Sequence, residues 1–265
     1  MGAELRSNNN VGEKQMEKKN SLEVKPPARI SPWTALAGFI VAWIVLDRIY
    51  SIMRAGILAH FHISGIRPVV AVDVLANCIQ MWVVFAGGVF LLHLRGQTLA
   101  DIGWRRPTTT SGWLWAIAFA ALFSGVVVGT VSDKTQLLSD WSFYRISLAL
   151  LIGVSAGVCQ ETLFRGFVMT QARDAGMPVA IQIALSAILF GLALTRFNWV
   201  GMPAPTNFWV VAASVAGTAI LGAAFAFVYI GSRRSLTPVI FSHAIIDMIL
   251  EPWSLLLTTA AALAR

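Results

Sequence analysis

Two pairs of ionisable residues stand four apart within apolar stretches of this sequence, Glu161 with Arg165 and His243 with Asp247. A spacing of four puts both members on one helix face, close enough to interact. Glu ahead of Arg is the favourable order. Carboxylates and imidazoles are the usual groups of acid–base chemistry. Inside a bilayer each ionisable group costs about 2.5–3.5 kcal/mol on insertion scales, so each needs a reason. On spacing alone, structural ion pairs that hold helices together fit as well as a reactive site.

The remaining polar candidates are weaker. Asp47 and Arg48 are adjacent, so they point about 100° apart on a helix and are not natural partners; a structural role is expected for each. Asp73 lies near the start of an apolar stretch, where it can reach water. Cys78 and Cys159 sit inside apolar segments without metal-type spacing, and read as small packed hydrophobes. A Cys159 nucleophile is disfavoured, because a thiol in apolar surroundings is inert.

The elements that position these residues are membrane spans. Of 265 residues, 57% are hydrophobic and 12% charged, with a mean hydropathy of +0.70. Soluble domains carry about 25% charged residues. Apolar stretches of about 20 residues suffice to cross a bilayer. Seven are expected, at roughly 33–53, 68–94, 111–131, 142–172, 177–195, 208–231 and 236–257. The fold class is therefore all-α, a polytopic transmembrane helical bundle of about seven spans. Arg54 to Arg67 reads as a connecting loop. Leu99 to Pro107 and Ser132 to Trp141 read as polar breaks. No internal repeat stands out.

Residues 1–31 read as a polar, disordered cytoplasmic tail rather than a signal peptide, since Glu4, Glu13, Glu17 and Glu23 lie among the lysines and no short apolar core is present. Residues 32–265 form the transmembrane domain. The net charge of +7 fits positive-inside orientation better than nucleic-acid binding, because no basic stripe with interleaved aromatics occurs. Placing the amino terminus in the cytoplasm puts the tail, Arg95, Arg105, Arg106, Arg173, Arg233 and Arg234 on that side. The tail decides this orientation, since the loops alone are nearly balanced.

Depth then relates the two pairs. If the fourth span ends near Arg173, Glu161 lies about 18 Å inside at about 1.5 Å per residue. If the seventh begins near Leu236, His243 and Asp247 lie about 10 and 16 Å in. Two polar pairs at similar depth point to a shared wet cavity.

At these positions the sequence resembles the CAAX protease and bacteriocin-processing family of membrane peptidases. The family's Glu-Glu-x-x-x-Arg motif reads here Gln160-Glu161-Thr162-Leu163-Phe164-Arg165. Its Phe-x-x-x-His motif reads Phe190-Gly191-Leu192-Ala193-Leu194, and its His-x-x-x-Asn/Asp motif reads His243-Ala244-Ile245-Ile246-Asp247. The resemblance covers about 142–250. It implies an endopeptidase acting on membrane-associated or prenylated peptides, with catalytic positions at Glu161, Arg165, His243 and Asp247. In the family the first glutamate activates a water; histidines and the last Asn or Asp stabilise the oxyanion or, in an older reading, bind a metal.

Two positions depart. Gln160 replaces the water-activating glutamate, and an amide cannot take a proton. Leu194 replaces the histidine of the second motif. A general base contributes about 10²–10⁴-fold, so impaired activity is expected. The alternatives are a pseudoprotease that binds, protects or regulates a membrane peptide or partner, and a small transporter. No cofactor is expected, because a catalytic zinc usually takes three protein ligands and one cavity histidine is left. The expected surroundings are the lipid bilayer of a bacterial inner (cytoplasmic) membrane and a membrane-bound or lipidated peptide.

Overall fold

The computed structural model describes residues 28–63, 66–106, 109–131, 143–195 and 208–263. Those residues are helical apart from turns and short connections, with no strand among them. Helix α1 spans Pro32–His60 and α2 spans Ile66–Leu94. A 3₁₀ turn at Leu99–Ile102 leads to α3, Thr110–Val131. Helix α4, Phe143–Glu161, runs into a π-helical stretch at Thr162–Val168 and then into α5, Met169–Asp174. Helices α6 (Val179–Thr195), α7 (Phe208–Gly231) and α8 (Leu236–Leu263) complete the bundle.

Apolar helices thus occupy all seven expected positions. Four are long and apolar enough to cross a membrane: Pro32–His60, Pro68–Leu94, Ile146–Asp174 and Phe208–Gly231. Shorter apolar helices lie at Thr110–Val126, Val179–Leu194 and Leu236–Leu250. Large apolar side chains such as Val41, Ile52, Ile79, Phe90, Ile220 and Phe227 face outward. In water that would be a liability; in lipid it is the ordinary state of a spanning helix.

Three sequence expectations change. The loop expected from Arg54 is helical as far as His60, because nothing before His62, with its φ of 49°, interrupts α1. Asp73 is not simply hydrated: its carboxylate accepts from Arg54 Nε at 2.5 Å and Nη2 at 2.9 Å. This bidentate pair ties the end of α1 to the start of α2. The end of the expected tail is also ordered. Ser31 caps α1, its Oγ accepting from the Thr34 amide at 3.1 Å, and Arg29 N donates to Leu94 O at 2.9 Å. Residues 1–27 and the break at 132–141 lie outside the described residues.

The polar break after α2 packs under the bundle. Asp101 Oδ2 accepts from Thr98 N and Oγ1 at 2.8 and 2.9 Å. Gly103 adopts a φ of 108°, a conformation glycine holds without strain. This turn buries Ile102 in the core, where its carbonyl accepts from Tyr229 Oη at 2.9 Å. Trp104 Nε1 donates to Thr162 Oγ1 at 3.0 Å, so the break is fastened to the π stretch.

Small residues set the closest helix approach. A Cβ on Gly157 would stand 2.8 Å from Ile240 O and 3.1 Å from Ala244 N; one on Gly153 would stand 2.8 Å from Ala244 O. Helices α4 and α8 therefore meet backbone to backbone along a Gly-x-x-x-Gly stripe. On α6, a Cβ on Gly191 would stand 2.6 Å from Val215 O of α7. Both approaches bring the polar residues of different helices together. Gly157→Val should push α4 from α8. Overpacking costs about 1–3 kcal/mol, so the detergent-solubilised variant is expected to melt below the parent by thermal unfolding. Equal melting temperatures would show that the contact yields freely.

Candidate functional site

Glu161, Arg165 and His243 are at most 1% exposed, and Asp247 is 7% exposed. The spacing of four places Arg165 above Glu161, and the guanidinium Nη1 donates to Glu161 Oε1 at 2.9 Å. The second arm, Nη2, donates to Gly222 O of α7 at 2.8 Å. His243 of α8 reaches the same carboxylate oxygen, with Nδ1 2.5 Å from Glu161 Oε1. Its other nitrogen, Nε2, lies 3.3 Å from Asp247 Oδ2. The four candidates therefore form one chain, Arg165–Glu161–His243–Asp247, not two independent pairs. The matching depth expected from the sequence has its counterpart in this contact.

Aromatic rings enclose the chain. His243 stacks on Phe225 of α7 with centroids 4.5 Å apart and planes 15° apart. Arg165 Cζ lies 4.3 Å from the ring centroid of Phe190 on α6 and 5.1 Å from that of Phe225. Cation–π contacts of this kind gain strength when desolvated. Rings continue from Phe190 to Phe164 at 5.3 Å and from Phe164 to Trp43 of α1 at 5.3 Å. The charged chain is thus enclosed by aromatic rings. With His243 doubly protonated, both ring nitrogens donate and the four side chains sum to zero charge.

Two polar atoms of the chain, Glu161 Oε2 and Arg165 Nε, are buried without a hydrogen-bond partner among the described residues. Gln160 takes a different direction. Its Nε2 donates to Met81 Sδ of α2 at 3.3 Å, so it faces α2 while Glu161 faces α7 and α8. The roughly 100° between neighbours on a helix separates them. Leu194 is half-buried and packs against the apolar core, one turn beyond Phe190. Cys159 is fully buried in an apolar cluster with Cys78, Val74 and Ile152.

The donors of the chain do not converge on a point. His243 lies between the two carboxylates and turns one nitrogen to each, so a metal would have to displace those contacts. Among the described residues no group of three or more His, Cys, Asp or Glu could hold a metal ion. His60, His62 and His93 are exposed, away from the chain.

Sequence reasoning found the four ionisable residues. It missed Gly222, Phe225 and Met81, and took Phe190 only as the start of a motif. Phe225 is one aromatic among many in an apolar helix, so nothing in its local sequence marks it.

A buried acid–base chain inside a bundle of apolar helices defines an integral membrane protein with an intramembrane polar site. Residues 141–249 match the family described as type II CAAX prenyl endopeptidase Rce1-like. That stretch runs from before α4 to beyond Asp247 and holds all four residues. The resemblance to the CAAX protease and bacteriocin-processing family is thereby shown over this part of the chain. No curated protein and no solved structure matches it.

Arg165→Ala should leave the Glu161 carboxylate buried beside fewer donors. Breaking a buried pair costs about 3–5 kcal/mol, so yield and melting temperature in detergent are expected to fall. Adding Glu161→Gln should recover part of the loss. A single variant as stable as the parent would contradict the buried pairing.

Proposed function

We propose that this protein is a CAAX-type membrane-embedded peptide-binding protein that cleaves its substrate poorly. The substrate class is a membrane-associated or prenylated peptide. Glu161, Arg165, His243 and Asp247 form the candidate site, and Gln160 and Leu194 are the positions that limit chemistry. The observation that carries this reading is the state of Glu161: its Oε1 already accepts from Arg165 and His243. A base must have a lone pair within reach of the proton it takes. The neighbouring position offers an amide, Gln160, which cannot take a proton and donates to Met81.

One observation favours a second reading, an endopeptidase in which Glu161 is the working base. Glu161 Oε2 has no hydrogen-bond partner among the described residues and is the carboxylate atom left to orient a water. Under either reading Arg165 and His243 hold the carboxylate in place, while the aromatic sleeve excludes bulk solvent. A hydroxide formed there, its proton taken by Glu161, would attack a peptide carbonyl.

The two readings separate in a two-by-two set of the parent, Gln160→Glu, Leu194→His and the double variant. Each is assayed for cleavage and for binding of one fluorescent farnesylated peptide. The parent should bind but cleave slowly. Gln160→Glu should raise cleavage more than Leu194→His, toward the roughly 10²–10⁴-fold of a general base. A single added oxyanion donor, worth about 10²–10³-fold, helps little while water is not activated. A parent that cleaves as fast as the double variant would assign the base to Glu161 and overturn the binding reading.

A further inference from the structure

One end of the bundle gathers three arginines whose charges are not paired among the described residues. Arg105 and Arg106 close the polar break, and Arg233 lies in the turn between α7 and α8. Four hydrogen bonds dock that turn on the break. Leu236 N donates to Gly103 O at 2.9 Å. Arg105 O accepts from Ser235 Oγ at 2.8 Å and from Thr237 Oγ1 at 3.4 Å. Arg105 Nη2 donates to Arg233 O at 2.9 Å. The Arg105 and Arg233 side chains therefore leave the backbone side by side, and Arg106 is next in the chain. All three are exposed. The nearby aspartates are engaged elsewhere: Asp101 accepts from Thr98, and Asp174 pairs with Gln97, Arg95 and Arg173. Three like charges side by side repel one another unless an anion joins them.

The turn is also strained for its sequence. Arg233 and Arg234 adopt φ values of 52° and 61° in succession, a left-handed region that long side chains seldom enter. Such outliers collect at binding sites. Arg234 is held within the bundle. Its Nη2 donates to Gln182 Oε1 at 2.7 Å, and its Cζ lies 5.9 Å from the Tyr229 ring centroid. Arg233 has no such support: its exposed side chain makes no hydrogen bond or ion pair among the described residues. Tryptophans give the level of this end in the membrane. Trp33 at the start of α1, Trp104 in the break and Trp115 near the start of α3 are all exposed, and Trp115 lies beside Gly231 at the end of α7. Exposed tryptophan is enriched at the depth of lipid headgroups.

We propose that Arg105, Arg106 and Arg233 form a binding site for the headgroup phosphate of an anionic phospholipid. Guanidinium groups stay charged and match phosphate oxygens in pairs. A bound headgroup would offset the repulsion among the three arginines and tie the polar break to the turn that opens α8. The site is distinct from the Glu161 chain and does not rest on whether that chain cleaves peptides.

The test is thermal unfolding of the purified full-length protein in a neutral maltoside detergent, titrated with phosphatidylglycerol, phosphatidylcholine or sodium phosphate. A ligand bound only by the folded state raises stability in proportion to the logarithm of its concentration above the Kd. Phosphatidylglycerol is expected to raise the melting temperature, and the other two are not. Asparagine tolerates the left-handed turn, so Arg233→Asn should melt no lower than the parent in detergent alone. It should nevertheless need about fivefold more phosphatidylglycerol, the share of one basic residue at an anionic surface. Arg106→Gln should shift the midpoint in the same direction. Arg29→Gln removes one charge beside Leu94 and should leave the midpoint unchanged. No rise with phosphatidylglycerol, or an equal rise with phosphatidylcholine or phosphate, would overturn the site. So would the same shift in Arg29→Gln as in Arg233→Asn, which would leave only diffuse attraction to a charged surface.

Discussion

The structure turns on one carboxylate oxygen. Glu161 Oε1 accepts from Arg165 within its own helical run and from His243 of α8. The other arm of Arg165 reaches the Gly222 carbonyl on α7, and its face lies on Phe190 of α6. One buried charge therefore fixes the relative positions of four elements. Desolvating ions is expensive, and their mutual attraction offsets that cost only when geometry and extra hydrogen bonds are good. Such a constraint acts on geometry more than on stability: any shift of α8 or α7 would strand a charge in an apolar interior.

The close approach of backbones makes that geometry reachable. The side chains of Glu161 and His243 can touch because Gly153 and Gly157 let α8 lie against α4. The π stretch at Thr162–Val168 begins directly after Glu161 and contains Arg165. Wider π turns often mark functional positions. Here the stretch also receives the Trp104 indole through Thr162 and the Ser186 hydroxyl through Phe164 O, at 3.0 and 2.9 Å. The segment that bears the motif is thus held from the polar break on one side and from α6 on the other.

Adjacent residues of that segment serve separate surroundings. Glu161 enters an aromatic sleeve shared with α6, α7 and α8. Gln160 turns instead to Met81 of α2. A motif written as two consecutive residues is therefore divided by the helix into two faces, and a substitution at one does not transfer its chemistry to the other. On the proposed reading, this separation keeps the carboxylate at 161 from standing in for one at 160.

The number and placement of apolar helices were legible in the sequence, since uninterrupted hydropathy over a bilayer's thickness has few other readings. The four residues of the acid–base chain were legible too, because a charge within a span is rare and a spacing of four puts partners on one face. Beyond that the sequence is silent for a physical reason. These helices are apolar on every side, so periodicity does not separate a lipid-facing residue from a buried one, and Phe225 looks no different from Phe227. The pairing of Arg54 with Asp73 was hidden because it joins two helices across a turn rather than one helix face. Tertiary structure alone decided that two i,i+4 pairs become one chain through Glu161 and His243, that Phe190 and Phe225 enclose it, and that Gln160 turns away. Each of these depends on how closely helices far apart in sequence approach, and that distance is set by glycines and alanines whose effect appears only when two backbones meet.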